Sequence, residues 1–405
     1  MRILFLSNLY PPHVVGGYER LCCQVAEALG QRGHDIYVLT SDFRGAEGDI
    51  PGQTVRRSLK LLADSQDIYV PFNANSDERA AINGRNIAEL KKMVAETQPD
   101  IVFVWNLHFF DVSLQHALSE LRVPSVFFLT DNWLAAALEP DRIGAHFSRH
   151  VFGSEPFLAT DAPADHRISH AAFFGSAFVR DLYHSCGFTF RKERVIHNGV
   201  TAAALDDDMV PDRSQLCVPG ELRLLFAGRL VDIKGPQDCI AALPLIQNAV
   251  GKDLRVTLRL VGDATDAAFR RRLDDDIRRS PLAGSISVQP PVSEGELPDV
   301  FAAHDMYLFP SLYEPFALTL ILAMAAGIPV VASDVGGNPE IVLRNRTGML
   351  YRKSDVGELS ARVAELAANP VMRGRVADRG RRFAQRFTFA RMVRQIEGAL
   401  QDMAN

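Results

Sequence analysis

Two cationic residues stand five positions apart in the segment FAGRLVDIKG, residues 226–235. Arg229 and Lys234 follow an apolar run and precede a helix-like run, which places both in a loop between a strand and a helix. Two cations fixed at the start of a helix could neutralise a diphosphate and stabilise it as it leaves. Two solvated surface charges would give the same pattern, so this segment alone leaves both interpretations open.

A lone carboxylate opens a second informative stretch, EPFALTLILAMAAGIPVVAS, residues 314–333. Its apolar character raises the question of a membrane span. Gly327 and Pro329 divide it into an eleven-residue segment and a short strand, whereas a spanning helix needs about 20 unbroken apolar residues. We therefore predict a buried helix that leads into a buried strand.

The residues at the start of that helix could bind a phosphate. We predict that the backbone N–H groups of Phe316, Ala317 and Leu318 are available for this purpose. Glu314, which precedes them, could accept hydrogen bonds from sugar hydroxyls. The alternative is that Glu314 only favours the dipole of the helix.

The elements that position such residues begin with a β-α-β unit. Strand RILFLSN, helix YERLCCQVAEALGQRG and strand DIYVLT follow one another, and this order predicts a parallel sheet. Leu21, Val25 and Leu29 form one apolar stripe on the helix. Gly16 and Gly17 stand at its head, where the missing side chains permit a ligand to approach the backbone; a plain flexible loop is the alternative.

The same alternation of strands and helices recurs along the chain. It lapses in a polar, turn-rich segment at 199–220 and then resumes. Two runs of β-α units predict an α/β protein with two doubly wound, Rossmann-like parallel-sheet domains that face a cleft. We expect these domains at 1–200 and 201–385, with the terminal helix, 386–405, packed back on the first.

Composition excludes several classes of protein. The chain has 405 residues, 47% hydrophobic and 23% charged, as in a soluble globular protein. Its net charge of −5 gives no overall attraction to nucleic acid. Five cysteines without a CxxC pair indicate neither a disulfide framework nor a zinc site. The first apolar run is too short for a signal-peptide core, so we expect a cytoplasmic protein.

Four charged segments carry weaker signals. Asp206–Asp208 and Asp274–Asp276 could be mistaken for metal ligands, but the first falls in the predicted linker. The outer carboxylates of the second would stand about 200° apart on a helix, so we predict no metal site. The arginines from Arg373 to Arg382 predict a solvated face. These arginines and the segment VRRSLKLL could also make weak peripheral contact with the inner face of a membrane.

Taken in order, six segments resemble the retaining glycosyltransferases of family 4, which have the GT-B fold, over essentially the whole chain. The segments are GGYERLCCQVAEALGQRGHDIYVLTSD, IHNGV, FAGRLVDIKG, LVGD, FPSLYEPFALTLILAMAAGIPVVASDVGGNPEIV and the terminal helix. The resemblance implies transfer of a hexose-type sugar from a nucleotide diphosphate sugar, most often a UDP- or GDP-sugar, with retention and without metal or cofactor. It also implies an N-terminal acceptor-binding domain and a glycan, lipid-linked or small-molecule acceptor.

The resemblance assigns roles to individual residues. Arg229 and Lys234 match the residues that hold the donor diphosphate, and Glu314 matches the first glutamate of the Glu-x7-Glu motif that contacts the donor. Gly16 and Gly17 match the glycine loop of the N-terminal domain. His108, at the end of strand DIVFVWNLH, matches a histidine beside the transferred sugar; without the match it would be a satisfied core or loop histidine.

Three positions depart from the family pattern. Leu322 stands where the second motif glutamate grips the ribose, and a leucine accepts no hydrogen bond. Losing such a contact costs on the order of 1–3 kcal/mol, so we expect the ribose to be held differently. Pro290 replaces a frequent glycine near the nucleobase, and Thr130 precedes Asp131 where a histidine is frequent.

Two other functions stay open. A nucleotide-sugar epimerase or hydrolase on a related fold would replace the acceptor by elimination or by water. A catalytically impaired sugar-nucleotide-binding protein would be consistent with Leu322. A dinucleotide dehydrogenase is disfavoured, because no GxGxxG opens the first helix.

Overall fold

A computed structural model describes most of the chain, namely residues 1–45, 50–64, 67–68, 70, 72–153, 165–201 and 212–404. The chain forms two compact units, residues 1–196 with 393–405, and residues 197–392. Each unit is a parallel sheet flanked by helices, which confirms the predicted α/β fold of two doubly wound domains. The run Asp206–Asp208 and much of the predicted linker lie outside the described residues.

The first unit contains a seven-stranded sheet in the order β3-β2-β1-β4-β5-β6-β7. The strands are β1 (Arg2–Ser7), β2 (Asp35–Ser41), β3 (Gln53–Leu59), β4 (Ile101–Asn106), β5 (Ser125–Leu129), β6 (His166–Phe174) and β7 (Phe188–Val195). The helices are α1 (Gly17–Gln31), α2 (Ser76–Thr97), α3 (Val112–Ser119), α4 (Trp133–Leu138), α5 (Pro140–Phe147) and α6 (Ala177–Ser185). Strand order reverses between β1 and β4, where open α/β sheets bind ligands.

Buried aromatic side chains stabilise the centre of this sheet. Every residue of β4 and β5 is buried, as expected for parallel strands covered on both faces. Phe5 and Phe103 pack edge to face at 5.4 Å between ring centroids, and Trp105 and Phe128 lie 4.7 Å apart. The two edge strands, β3 and β7, escaped prediction because charged residues interrupt their apolar pattern, as is common at sheet edges.

The second unit contains a six-stranded sheet in the order β10-β9-β8-β11-β12-β13. The strands are β8 (Glu221–Ala227), β9 (Arg255–Val261), β10 (Ile286–Gln289), β11 (Met306–Phe309), β12 (Val330–Ser333) and β13 (Met349–Tyr351). The helices are α7 (Pro236–Val250), α8 (Ala267–Arg279), α9 (Leu297–Ala302), α10 (Leu318–Ala325), α11 (Asn338–Ile341), α12 (Val356–Ala368) and α13 (Pro370–Ala384). The last helix, α14 (Phe389–Ala404), begins in this unit and continues in the first.

The apolar stretch at 314–333 forms α10 and β12, whose side chains are almost all buried. This confirms the prediction of a buried helix followed by a buried strand. No helix in the described part of the chain is long and apolar enough to cross a membrane.

Residues 393–405, most of α14, belong to the first unit, where the Glu397 carboxylate accepts hydrogen bonds from Arg32 and His34 at 2.8 and 2.9 Å.

The prediction of a solvated basic face was wrong for Arg373. This side chain is buried, because its guanidinium donates to the carbonyl oxygens of Arg213 and Ser214.

Candidate functional site

The loop after β8 holds Lys234 at the carboxyl end of the second sheet. Residues Asp232–Lys234 form a short 3-10 turn, and Gly235 follows with φ of +71° at the start of α7. A Cβ at Gly235 would overlap the carbonyl oxygen of Pro310. The N–H of Leu312 also donates to the carbonyl of Ile233 at 2.8 Å. The loop after β8 is therefore fixed against the loop after β11.

Lys234 and Glu314 come together as an ion pair. Lys234 Nζ donates to Glu314 Oε2 at 2.5 Å, and the two side chains are 21% and 10% exposed. A pair this enclosed is screened by solvent much less than a surface pair. The two residues predicted to contact a diphosphate and a sugar thus meet at one point.

A pair of glycines holds the backbone of Glu314 in place. Gly336 has φ of +56°, and a Cβ there would overlap the carbonyl oxygen of Glu314. The N–H of Gly337 donates to the same carbonyl at 2.9 Å. The loop after β12 therefore permits no side chain at this contact.

Helix α10 begins two residues later than we predicted. Ala317 is its N-cap residue and Leu318 its first helical residue, so the N–H groups of Phe316 and Ala317 precede the helix. Within the described chain no side chain caps this N-terminus, and the first-turn amides starting at Leu318 remain for another acceptor. The Phe316 ring instead stacks on His197 at 5.3 Å, and Leu322 is buried in the apolar core.

Arg229 lies in the loop that also carries Lys234, but its side chain is exposed. Among the described residues, no carboxylate lies within the 4 Å of the Arg229 guanidinium that an ion pair requires. The structure thus brings Lys234 and Glu314 into contact and leaves Arg229 beside them, facing solvent.

In the first unit, Gly16 and Gly17 form the head of α1. Both are exposed, and a Cβ at either position would meet nothing within 4 Å. The N–H of Gly16 donates to Glu19 Oε2 at 2.9 Å. The protein itself therefore does not require glycine here, and the Gly16 amide already has a partner.

His108 occupies a tight turn after β4. Its backbone N–H donates to Asn106 Oδ1 at 2.8 Å, and its carbonyl accepts from Asn8 Nδ2 at 3.2 Å. Phe109, which follows, has φ of +72°, and its ring lies 4.0 Å from the imidazole. Partial burial of the imidazole lowers the pKa of His108 below its ordinary value of 6.5, so the ring is neutral at pH 7.

Sequence reasoning gave no role to two acids near this edge of the first sheet. Asp131 follows β5, and burial, with a contribution from the charge of Glu19, raises its pKa to about 6. Its Oδ1 accepts the N–H of Trp133 at 3.0 Å. Strands β1, β4 and β5 are neighbours, so the head of α1, His108 and Asp131 lie at one edge. An acid directly after the apolar run SVFFLT was the available signal.

A cavity of about 770 Å³ opens beside β2 and β3 of the first unit. Its apolar lining lies next to cationic side chains, and Lys60 pairs with Asp42 at 2.7 Å. The main lining residues are Phe43, Leu61 and Phe72 with Arg44, Lys60 and Arg85. Such a cavity can hold a ligand of substantial size that is partly apolar and partly polar.

Two of the three consecutive aspartates of α8 make ion pairs with arginines. Asp274 pairs with Arg270 at 3.0 Å, and Asp275 pairs with Arg278. Across the described residues, no cluster of three or more His, Cys, Asp or Glu side chains could hold a metal ion.

Comparison with known families gives two matches. Residues 15–203 match the model "Glycosyltransferase Family 4", and residues 221–369 match "Glycosyl transferases group 1". A glycogen synthase of Mycobacterium tuberculosis is 29% identical over 402 residues, covering 96% of this chain and 90% of that protein. A D-inositol 3-phosphate glycosyltransferase of Arthrobacter is 32% identical over 180 residues, covering 44% of this chain and 42% of that protein.

Solved structures share the fold over the full chain. Sucrose-phosphate synthase from Thermosynechococcus elongatus aligns with a TM-score of 0.73 and 20% identity, covering 99% of this chain and 98% of that chain. Anabaena HepE, solved in complex with UDP, aligns with a TM-score of 0.71 and 21% identity, covering 99% and 100%.

Proposed function

The chain belongs to glycosyltransferase family 4 and has the GT-B fold, and on this premise we propose that it is a retaining, metal-independent hexosyltransferase. The donor is a nucleotide diphosphate sugar, and the acceptor is a glycan, a lipid-linked molecule or a small molecule. The proposal keeps the cytoplasmic location that we expected from the sequence, with peripheral contact at the inner membrane face for a lipid-linked acceptor.

The observation that supports this proposal is the Lys234–Glu314 pair at the carboxyl ends of the strands, 2.5 Å between Nζ and Oε2. A cation held in an enclosed position is suited to a diphosphate, and the free amides of α10 stand next to it. Glycines fix the pair on both sides, since Gly235 contacts Pro310 and Gly336 contacts Glu314. The position of the cation is therefore set before any donor binds.

The chemistry follows from the leaving group. A departing diphosphate needs its developing charge neutralised more than it needs a strong acid. Lys234, Arg229 and the first-turn amides of α10 supply that neutralisation in the proposal. The acceptor hydroxyl attacks from the face that the diphosphate leaves, and the leaving phosphate oxygen takes the hydroxyl proton. The assignment of this face rests on family membership.

The first unit supplies the acceptor side of the proposal. Its cavity combines apolar and cationic lining, which suits an acceptor with both characters. His108, neutral at pH 7, can accept or donate a hydrogen bond to a sugar hydroxyl. We assign it the position beside the transferred sugar.

Leu322 favours a second candidate function, a sugar-nucleotide-binding protein with impaired catalysis. The side chain is buried among apolar residues and offers no acceptor to a ribose. In the leading proposal, another group holds the ribose.

The test is a thermal-shift panel of UDP, GDP, ADP, TDP and their sugars, followed by turnover assays with each donor that binds. UDP-glucose is tested first because HepE has been solved with it. A ligand at 100 times its Kd stabilises the folded protein by about 2.7 kcal/mol. Binding with measurable transfer supports the leading proposal, binding without transfer or hydrolysis supports the second, and no binding contradicts both.

The same panel on Leu322→Glu tests the ribose position. We expect tighter binding or a changed preference among nucleotides. Unchanged affinity and preference would show that this position does not contact the donor.

A further inference from the structure

The second sheet has one face that is only partly covered. Parallel sheets of α/β proteins are usually covered on both faces and therefore apolar throughout. Strand β9 instead alternates, with Val256, Leu258 and Leu260 buried and Arg255 and Arg259 exposed. Strand β10 continues this exposure at Ser287 and Gln289. Polar residues have therefore replaced apolar ones on a face that helices cover elsewhere.

A polar cavity of about 230 Å³ lies on this face. It is near the amino ends of the strands, whereas Lys234 and Glu314 follow their carboxyl ends. The length of β8 separates the two places by about 20 Å. We call this cavity the arginine pocket, lined principally by Glu221, Arg223, Arg255, Thr257, Arg259 and His304.

Strand register concentrates positive charge in the arginine pocket. Glu221 stands opposite Arg255 and also accepts from Arg223 Nε at 3.1 Å. Arg259 stands opposite Leu225 and makes no ion pair with a carboxylate of the described ranges. Among the described residues, only Arg223 of the three arginines makes an ion pair, and its partner is Glu221. The other nearby carboxylate, Asp305, accepts the backbone N–H of Arg223 at 2.7 Å. Like charges on diagonal strand neighbours, about 7–8 Å apart, repel each other without an anion between them.

His304 adds a neutral group to the arginine pocket. Its side chain is buried, and Nδ1 lies 2.6 Å from the carbonyl oxygen of Val300. Because a carbonyl can only accept, Nδ1 carries the proton and Nε2 is left as an acceptor. Burial lowers the pKa of His304, with Arg259 and Arg223 contributing in the same direction. The ring is therefore suited to a hydroxyl donor.

We propose that the arginine pocket binds a phosphate dianion, free or carried on a monosaccharide, at a site separate from the donor site. The planar guanidinium fork matches phosphate oxygens. Thr257, Glu221 and His304 provide hydrogen-bonding groups for sugar hydroxyls. The cavity is smaller than the roughly 300–1,000 Å³ that larger organic ligands occupy, so a nucleotide sugar does not fit.

The experiment is isothermal titration of the full chain with glucose 6-phosphate, inorganic phosphate and glucose, with and without saturating UDP. Arg259→Gln and Arg255→Gln each remove one exposed guanidinium from the pocket. Arg279→Gln, an exposed arginine of the same unit that does not line the pocket, is the matched control. Melting temperatures of the variants check that each remains folded.

We expect glucose 6-phosphate to bind whether or not UDP is present, and its Kd to rise about tenfold in Arg259→Gln and Arg255→Gln. The control should bind like wild type. If inorganic phosphate binds as tightly as glucose 6-phosphate, the ligand is the bare dianion. If inorganic phosphate binds more weakly, the ligand is a phosphorylated sugar. Equal loss in the control, competition by UDP, binding of glucose as tight as its phosphate, or no binding at about 10 mM would each overturn the proposal.

The titration without UDP keeps this proposal independent of the donor assignment. Were no nucleotide of the panel to bind, the proposed donor chemistry would fail, while phosphate binding to the arginine pocket could still be measured.

Discussion

The two units build the same edge of a parallel sheet in different ways. In the second, main chain packs on main chain, since Gly235 faces Pro310 and Gly336 faces Glu314 with no room for a Cβ. In the first unit, a Cβ at Gly16 would meet no protein atom within 4 Å. The N–H of Gly16 donates a hydrogen bond to the Glu19 carboxylate.

The difference agrees with the proposed roles of the two units, donor binding by the second and acceptor binding by the first. The backbone of the second unit has no room for side chains at these contacts, so its shape is fixed. A fixed shape suits the diphosphate, because that group is common to all nucleotide diphosphate sugars. An edge built from side chains beside a 770 Å³ cavity can change with each substitution, which suits an acceptor that differs between enzymes.

The largest expected effect concerns the fixed cation. Lys234→Ala should lower kcat about 100-fold or more, because it removes the charge that, in the proposed mechanism, neutralises the leaving diphosphate. Initial rates with the donor identified by the panel measure it. Lys252→Ala, an exposed lysine elsewhere in the second unit, is the control and should keep full activity. Wild-type turnover by Lys234→Ala would remove the diphosphate role.

A pair of glycine substitutions tests the contrast between the units directly. Gly336→Ala should cost about 2–4 kcal/mol of unfolding free energy, because it combines left-handed backbone with overlap against the Glu314 carbonyl. Gly17→Ala should change stability by less than about 0.5 kcal/mol. Urea denaturation of both variants measures this.

Activity separates the two glycines further. If a ligand approaches the backbone at the head of α1, Gly17→Ala should reduce kcat/KM without reducing stability. Equal losses of unfolding free energy in the two variants would contradict the proposed difference between the sheet edge of the second unit, built from main chain, and that of the first, built from side chains.

The smallest expected effect concerns Asp131. Its folded pKa of about 6 exceeds the ordinary value of 3.8, so the folded state binds more protons between these values and stability falls as pH rises through that window. Asp131→Asn should therefore stabilise the protein by about 1–2 kcal/mol at pH 7. The gain should vanish below about pH 3, where the carboxyl is protonated in both states. The asparagine oxygen can still accept from Trp133.

Asp266→Asn is the control for this pH profile. Hydrogen bonds from the backbone of Ala268 and Phe269 lower the pKa of Asp266, so its charge favours the fold above the unfolded pKa. That variant should show no gain at pH 7. A pH-independent difference for Asp131→Asn would contradict the proposed burial of its charge.

Much of this organisation was predictable from sequence because it depends on local patterns. The β-α alternation, the buried strands and the loop positions of Lys234 and Glu314 follow from apolar periodicity. The start of α10 did not follow, because EPFA contains no Ser, Thr, Asp or Asn to mark an N-cap.

Contacts between distant segments were also beyond sequence reasoning. Glu19 and Asp131 are separated by more than one hundred residues, and only the strand order brings their segments to one edge. The alternation of β9 is visible in RVTLRLV, but the pairing of Glu221 with Arg255 requires the register. The burial of Arg373 depends on carbonyl groups of residues 213 and 214, which its own helix does not reveal.

The ion pair between Lys234 and Glu314 affects which anions can bind Lys234 in a solution that contains many salts. A carboxylate attached to the same chain competes for the ammonium group at a high effective concentration. Sulfate or chloride must displace that built-in competitor, and one weak contact rarely suffices. A ligand with several phosphate oxygens would engage the cation and neighbouring amides together, so the proposed site resists simple anions without excluding a nucleotide diphosphate.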